Sequence, residues 1–284
     1  MPFRYCGFAD EARKDLDGQI EVIKKCGWNA VELRSIEPSH VCELTDEQWE
    51  AAKQKLADNG ITIAGFGGQI ANWSRPITSD FQKDIDELQR VAPRMNEVGC
   101  KFLRVMSYPN DEKNPLSDDD WKKEAFRRLK ELAKMAEGLG VILAHENCSG
   151  YGSRGPAEYR EMMEAVDSPA LKPIMDTGNN GLHDNDHEAT WRYYEACRDD
   201  IAHVHIKCCQ ANAEGKMVTC YPDEDPMQAR ILSDLKARGY DGYLSIEPHL
   251  HAAIHAGKDV DDAEVAGKAW VDYAARLEKL VASL

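Results

Sequence analysis

Hydrophobic positions along this chain alternate between two periods. A stretch with apolar residues three and four apart reaches a glycine, and a short continuous apolar run follows. Leu16, Ile20 and Ile23 share one helical face, and Gly27 then precedes Ala30-Val31-Glu32-Leu33. Residues 45–59 repeat the pattern, with Thr45 placed to cap a helix and Gly60 ahead of Ile61-Thr62-Ile63-Ala64. Residues 79–98 end at Gly99 before Lys101-Phe102-Leu103-Arg104-Val105. A helix over 118–138, with Phe126, Leu129, Ala133, Ala136 and Leu139 in one stripe, leads to Gly140 and Val141-Ile142-Leu143. Ile231, Leu232 and Leu235 precede Gly239 and Tyr243-Leu244-Ser245-Ile246. Glycine just past a helix end takes the left-handed conformation at little steric cost. A short unbroken apolar run marks a parallel strand buried on both faces.

Adding 3–8, 172–175 and 202–206 gives eight strands, each followed by a helical stretch, the last at about 260–284. Eight such units without a linker predict an α/β protein: one (β/α)8 TIM barrel, a single domain over residues 1–284. The length suits a barrel of roughly 250 residues with modest insertions. The rival, an open doubly wound sheet, expects G-x-G-x-x-G after its first strand, and the chain lacks it there. Residues 208–222, polar and after the seventh strand, are expected to form a long loop able to serve as a lid.

What ends strands five to eight carries the chemistry. Val141-Ile142-Leu143-Ala144-His145 runs into Glu146, Pro173-Ile174-Met175 into Asp176, Ala202-His203-Val204 into His205, and Tyr243-Leu244-Ser245-Ile246 into Glu247. In such a barrel the C-terminal strand ends converge on the catalytic face. A single strand-end carboxylate is often a helix cap or a salt-bridge partner. Three carboxylates on neighbouring strands would repel one another strongly, and a divalent cation resolves that repulsion. Three carboxylates and one imidazole are a mostly hard ligand set. They predict one divalent ion, Mn²⁺ first, with Mg²⁺, Co²⁺ or Zn²⁺ as the other candidates.

Charge and cysteine usage narrow the setting. A net charge of −15 opposes a nucleic-acid partner, which needs clustered Lys and Arg. Residues 1–10 hold no apolar run of signal-peptide length, and no run is long enough to cross a membrane, so a cytoplasmic protein is expected. The nine cysteines are odd in number and form no C-x-x-C, which favours reduced thiols, the Cys208-Cys209 pair included.

His145-Glu146-Asn147, Met175-Asp176-Thr177-Gly178-Asn179, His203-Val204-His205-Ile206-Lys207 and Ser245-Ile246-Glu247-Pro248-His249 resemble the sugar phosphate isomerase/epimerase family of xylose isomerase-like TIM barrels. Val31-Glu32-Leu33-Arg34 and Gly239-Tyr240-Asp241-Gly242-Tyr243 extend the resemblance over nearly the whole chain. That group includes ketose 3-epimerases, inosose dehydratases and, more distantly, endonuclease IV. The resemblance implies metal ligands at Glu146, Asp176, His205 and Glu247, with the two glutamates also forming the acid/base pair. Two departures separate this chain from the standard ketose 3-epimerase pattern. Asn179 stands where several epimerases have a histidine, and Cys208 replaces the acidic residue that commonly follows His-x-Lys.

The expected reaction is isomerisation or epimerisation. The metal chelates a carbonyl and an adjacent hydroxyl of a sugar, one glutamate takes the proton beside the carbonyl, and the other returns one to the opposite face through an enediolate. Lys207 shares a strand face with His205 and could steady the enediolate or pair with the ligand carboxylates. Arg104 could bind substrate or pair with Glu32. His183 could replace the histidine missing at Asn179, and His249 sits two residues past Glu247. Phe8, Phe66 and Trp73 could wall a sugar ring. Dehydration of a keto-sugar or cyclitol, or cleavage of a 3-keto-glycoside, uses the same early steps and is the alternative. An endonuclease IV-like site fits poorly, given Asn179, Gly67, Ser107 and the acidic charge. A non-catalytic sugar-binding barrel is the alternative outside enzymes. With no glycine-rich phosphate loop after strand seven or eight, the expected partner is an unphosphorylated sugar, with a homodimer compatible.

Overall fold

The computed structural model describes residues 3–250 and 263–284. Its strands are β1 (Arg4–Gly7), β2 (Ala30–Leu33), the ribbon β3 (Ser35–Ile36) with β4 (Ser39–His40), β5 (Thr62–Phe66), β6 (Phe102–Ser107), β7 (Ile142–Gly150), β8 (Leu171–Asp176), β9 (His203–Ile206), the ribbon β10 (Cys209–Ala211) with β11 (Met217–Thr219), and β12 (Tyr243–Ile246). Eight of them form one parallel sheet in the order β1-β12-β9-β8-β7-β6-β5-β2. The edges β1 and β2 touch, so the sheet is a nearly closed TIM barrel with helices around it. The last helix is Ala263–Ala282; the expected start at 260 lies outside the described residues. Among the described residues no helix is long and apolar enough to cross a membrane.

The joints between helix and strand follow the sequence pattern. Gly27, Gly60, Gly99, Gly140 and Gly239 all have φ between +68° and +77°, where a side chain would strain the backbone. Thr45 caps Asp46–Asp58 reciprocally: Gln48 N–H donates to Thr45 Oγ1 at 3.2 Å and Thr45 N–H to Gln48 Oε1 at 2.9 Å. Outside the barrel, Trp49, Trp270 and Tyr273 are at most 2% exposed. Burying each such side chain contributes about 1.5–3 kcal/mol or more.

The barrel interior is partly polar. Glu32, His203 and Ser245 are buried within it, beneath His205. Gly65 makes room for this group, because a Cβ there would stand 3.2 Å from Glu32 Cγ and Oε1. The pairing of β2 with β5 shifts register at the same place, between Val31 and Glu32.

One expectation is overturned outside the barrel. Residues 208–222 are not an open lid but an antiparallel ribbon fastened at both ends. Cys209 N–H donates to Asp225 Oδ2 at 3.0 Å, and Met217 N–H to Asn185 Oδ1 at 2.7 Å. A turn at Asn212 that bonds its own backbone makes the polar stretch a hairpin. All nine cysteines are free thiols, and Cys208 Sγ accepts from the Tyr273 hydroxyl.

Candidate metal centre and cleft

The four strand ends meet. Each of Glu146, Asp176, His205 and Glu247 offers a ligand atom, and these atoms lie within 4.8 Å of one another, all buried. Strand alternation aims Glu146 into the mouth and sends its neighbour His145 outward toward Tyr159, with ring centroids 6.5 Å apart. Asp176 is set by its own turn: Oδ1 accepts the Gly178 and Asn179 N–H groups at 2.9 and 2.7 Å. Asn147 clamps the same strand end, accepting Asp176 N–H at 2.7 Å and donating to Asp176 O at 2.9 Å. Turn and clamp leave Asp176 Oδ2 free to face the centre.

His205 is oriented from beneath. Its Nε2 lies 3.2 and 3.1 Å from the two carboxylate oxygens of Glu32, which directs Nδ1 to the centre, 3.3 Å from Glu146 Oε1 and 3.7 Å from Glu247 Oε2. Glu32 is itself held by His203 Nε2 at 2.9 Å and Ser245 Oγ at 2.6 Å. Burial works against a charged His205, but Glu32 and Glu146 overcome it and hold the imidazole at about 10.

Three cations thread between the carboxylates. Lys207 Nζ donates to Asn179 Oδ1 at 3.0 Å and stands 3.2 Å from both Asp176 Oδ2 and Glu247 Oε2. Arg104 bridges Glu146 Oε2 at 3.4 Å and Glu247 Oε1 at 3.8 Å. Arg34 holds Asp10, Glu11 and Glu247 at 2.9, 3.3 and 3.0 Å. Burial would raise the Glu247 carboxyl, yet Lys207, His249 and His205 keep it well below the usual range. For Asp176 burial wins, and its carboxyl is raised despite Lys207.

The residues fit a divalent ion. Glu146 Oε2, Asp176 Oδ2 and Glu247 Oε2 are buried and accept no hydrogen bond. Arg104 and Lys207 stand 3.4 and 3.2 Å from these oxygens and offset part of the cost of burying them, and open lone pairs remain for a cation. Donors at roughly 2.1 Å from an octahedral ion stand about 3 to 4.2 Å apart, close to the spacing here. Glu146, Asp176, His205 and Glu247 could therefore hold one ion.

The other sequence candidates divide. Asn179 is in the centre, donating to Glu146 Oε1 at 3.3 Å. His249 Nε2 lies 3.2 Å from Glu247 Oε1 and 3.1 Å from Glu11 Oε1; burial opposes its charge, and these carboxylates raise it to about 9. Trp73 lines the cleft above the centre, a cavity of about 410 Å³ that also reaches Arg34, Arg104, Glu146, Lys207 and Glu247. Three expectations are corrected. His183 is exposed at the end of the short helix Asn179–Asp184 and lines no part of the cleft, because that helix carries it away from the mouth. Phe8 is fully buried edge-on to His205 at 5.2 Å, and Phe66 packs on Trp49, so neither walls the cleft. Arg104 pairs with Glu146 and Glu247, while Glu32 is taken by the two histidines. Arg34 and Asn147 have positioning contacts that sequence reasoning gave no role, and Glu32, expected only as a partner for Arg104, orients His205. An acidic residue inside the apolar run Ala30-Val31-Glu32-Leu33 was the available signal for Glu32.

An inosose dehydratase of Halalkalibacterium halodurans is 25% identical over 134 residues, 46% of this chain and 43% of that protein. A 2-epi-5-epi-valiolone 7-phosphate 2-epimerase of Actinoplanes sp. is 28% identical over 120 residues, 42% of this chain and 41% of that protein. The chain thus matches about two fifths of the length of each of these curated relatives. A xylose isomerase-like TIM barrel protein of Mycobacterium smegmatis, in complex with magnesium, shares the fold at a TM-score of 0.71 and 14% identity, over 98% of this chain and 97% of that one. A family model described as xylose isomerase-like TIM barrel matches residues 20–272, well over half the sequence, and the chain belongs to that family.

Proposed function

We propose that this protein is a divalent-metal-dependent isomerase or epimerase of an unphosphorylated keto-sugar. Glu146, Asp176, His205 and Glu247 hold the ion, with Mn²⁺ first among candidates, and Glu146 and Glu247 form the acid/base pair. The observation that carries this reading is the meeting of three carboxylate oxygens without hydrogen bonds and the Nδ1 edge of His205 at one buried point. The magnesium complex of the Mycobacterium smegmatis protein supports a metal in this fold.

A divalent ion, when bound, supplies Lewis-acid polarisation of the carbonyl. Glu247, kept ionised by Lys207 and His249, is ready to take the proton from the carbon beside it. Glu146, whose Oε2 shares the Arg104 Nη1 with Glu247 Oε1, would first take a proton from water and then deliver it to the opposite face, while Glu247 passes the proton it gained back to water. Lys207 and Arg104 steady negative charge as it develops on the substrate oxygens. Asp176 and His205 are held by Asn147 and Glu32 and keep their geometry through the cycle.

The pairing of each cleft cation with carboxylates supports a neutral substrate. Arg34, Arg104 and Lys207 are each committed to two or more carboxylates. His40 in the cleft wall is kept uncharged, first by burial and then by Arg104 and Arg34, which lower it to about 3. A phosphate group would want an uncommitted cation. The phosphorylated substrate named for the Actinoplanes relative therefore does not transfer to this cleft. The inosose dehydratase match supports a second reading, in which the same base removes the proton and a hydroxyl β to the carbonyl leaves as water.

Proton NMR in D₂O, with metal-loaded protein and a panel of ketoses and cyclitol ketones, tests the proposal. Deuterium is expected at a carbon beside the carbonyl, and the product separates epimer from isomer from dehydrated ketone. Glu247→Gln is expected to slow exchange by about 10²–10⁴-fold. Full turnover by that variant with its ion retained removes the acid/base assignment.

A further inference from the structure

The loop after β5 carries two side-chain amides, Gln69 and Asn72, and both line the cleft that holds Glu146 and Glu247. Their oxygens are spent inside the loop. Asn72 Oδ1 accepts the Ser74 N–H at 2.9 Å and the Ser74 hydroxyl at 2.6 Å. Gln69 Oε1 accepts from Arg75 Nη2 at 3.1 Å. A backbone N–H and a guanidinium can only donate, so these partners fix which atom of each amide is the oxygen. The two NH₂ groups therefore point elsewhere, and among the described residues neither meets an acceptor. Asn72 is only 3% exposed, yet its nitrogen is not sealed in, because the residue opens on the cleft.

Both donors are held in place. Gln69 N–H donates to the buried Glu87 Oε1 at 2.8 Å, and Arg75 pairs with Asp84 at 2.6 Å and Glu87 at 2.5 Å. Asn72 N–H reaches Gln69 O at 3.2 Å, and Arg75 N–H reaches Asn72 O at 2.9 Å. Met106 N–H donates to Ile70 O at 3.1 Å and Tyr108 N–H to Ala71 O at 2.9 Å, which stitches the loop to β6 and its exit. Donors fixed in this way lose little freedom when a ligand arrives. Their place in the barrel matters as well. In the sheet order β5 lies four strands from β9 in either direction, across the mouth from His205. A substrate gripped by one end at the four strand ends points its other end toward this wall.

We infer that Gln69 and Asn72 read the substrate hydroxyls remote from its carbonyl, and so decide which stereoisomer the cleft accepts. This rests on the metal-dependent reading of the four strand ends. Each NH₂ offers a hydrogen bond to an alcohol oxygen, and inverting that carbon moves the oxygen out of reach. A site built to bond a hydroxyl discriminates against a ligand that fails to supply it, because its donor is then left unpaired.

The test is calorimetric binding to Mn²⁺-loaded wild type, Gln69→Met and Asn72→Ser. Both substitutions are uncharged; methionine keeps the length of the glutamine, and a serine hydroxyl can still accept the Ser74 N–H and keep the turn. The ligands are D-fructose, its C4 epimer D-tagatose, its C5 epimer L-sorbose, and dihydroxyacetone, which has the chelating end but no remote hydroxyl. One ketohexose is expected to bind wild type about tenfold more tightly than dihydroxyacetone and several-fold more tightly than its epimers. Each substitution should cut both margins roughly two- to tenfold. Mn²⁺ and dihydroxyacetone affinities should be equal in all three proteins. Margins that survive both substitutions, three ketohexoses bound alike by wild type, or no ketohexose binding overturn the inference. So does a loss shared equally by dihydroxyacetone or Mn²⁺, which would make the amides merely structural. Binding and deuterium exchange fail separately: exchange without a Gln69 or Asn72 effect removes the reading pair, and amide-dependent binding without exchange removes the acid/base chemistry.

Discussion

Among the described residues four groups of metal-ligating side chains come together, and the contrast between two of them shows what suits a site to an ion. Glu146, Asp176, His205 and Glu247 form the first; His187, Cys209 and Asp225 form the second, with ligand atoms equally within 4.8 Å. In the second, Asp225 Oδ1 is taken by His187 Nε2 at 2.7 Å and Met227 N–H at 2.9 Å. Its Oδ2 is taken by Cys209 N–H at 3.0 Å and Gln228 Nε2 at 3.1 Å. Burial pushes the Cys209 thiol up to about 12, away from the thiolate that binds metals. The first group keeps three oxygens without hydrogen bonds. Proximity of ligand types is therefore a weak signal, and unsatisfied lone pairs are the strong one. Asp225 is a brace that caps helix Pro226–Ala237 and fastens the hairpin.

The comparison breaks most visibly if Asp225 is removed. Asp225→Ala strips a helix cap and leaves buried donors unpaired, at a cost of about 2–4 kcal/mol. A fall in Tm of roughly 3–7 °C is expected in calorimetry, with metal affinity unchanged. Loss of metal binding with an unchanged Tm would make the brace a ligand site after all.

A smaller effect sharpens the contrast from the other side. A proton on His205 Nδ1 competes with the ion, and Glu32 at Nε2 together with Glu146 at Nδ1 raises the imidazole to about 10. Metal affinity should therefore rise by as much as about tenfold per pH unit between pH 7 and 9, since binding releases one proton. In Glu32→Gln the imidazole returns toward its ordinary range and the slope flattens. At the alkaline end of the series the variant should bind about 10–100-fold more weakly, having lost the partner that orients the ring. An unchanged slope would show that Glu32 does not govern His205.

The sequence made the barrel legible because its two periods and its helix-end glycines each have one physical cause. The four candidate ligands were legible because a parallel strand brings its C-terminal end to the mouth whatever lies around it. What escaped notice depends on contacts across the barrel. Glu32 meets His203 and His205 from 171 and 173 residues away, and no local pattern reports that. Arg34 gathers Asp10, Glu11 and Glu247 from opposite ends of the chain. His183 failed as a candidate because nearness in sequence to Asn179 was misread as nearness to the mouth. The hairpin at 208–222 failed for another reason: its polar residues bond their own backbone, and polarity alone does not distinguish that from an open loop.

The most direct measurement is isothermal titration of metal-stripped protein with Mn²⁺, run on wild type, Asp176→Asn and Cys209→Ser. One ion per chain is expected for wild type and Cys209→Ser alike, and no measurable binding for Asp176→Asn. Full binding by Asp176→Asn, or its loss in Cys209→Ser, would contradict the assignment of the ion to the four strand ends.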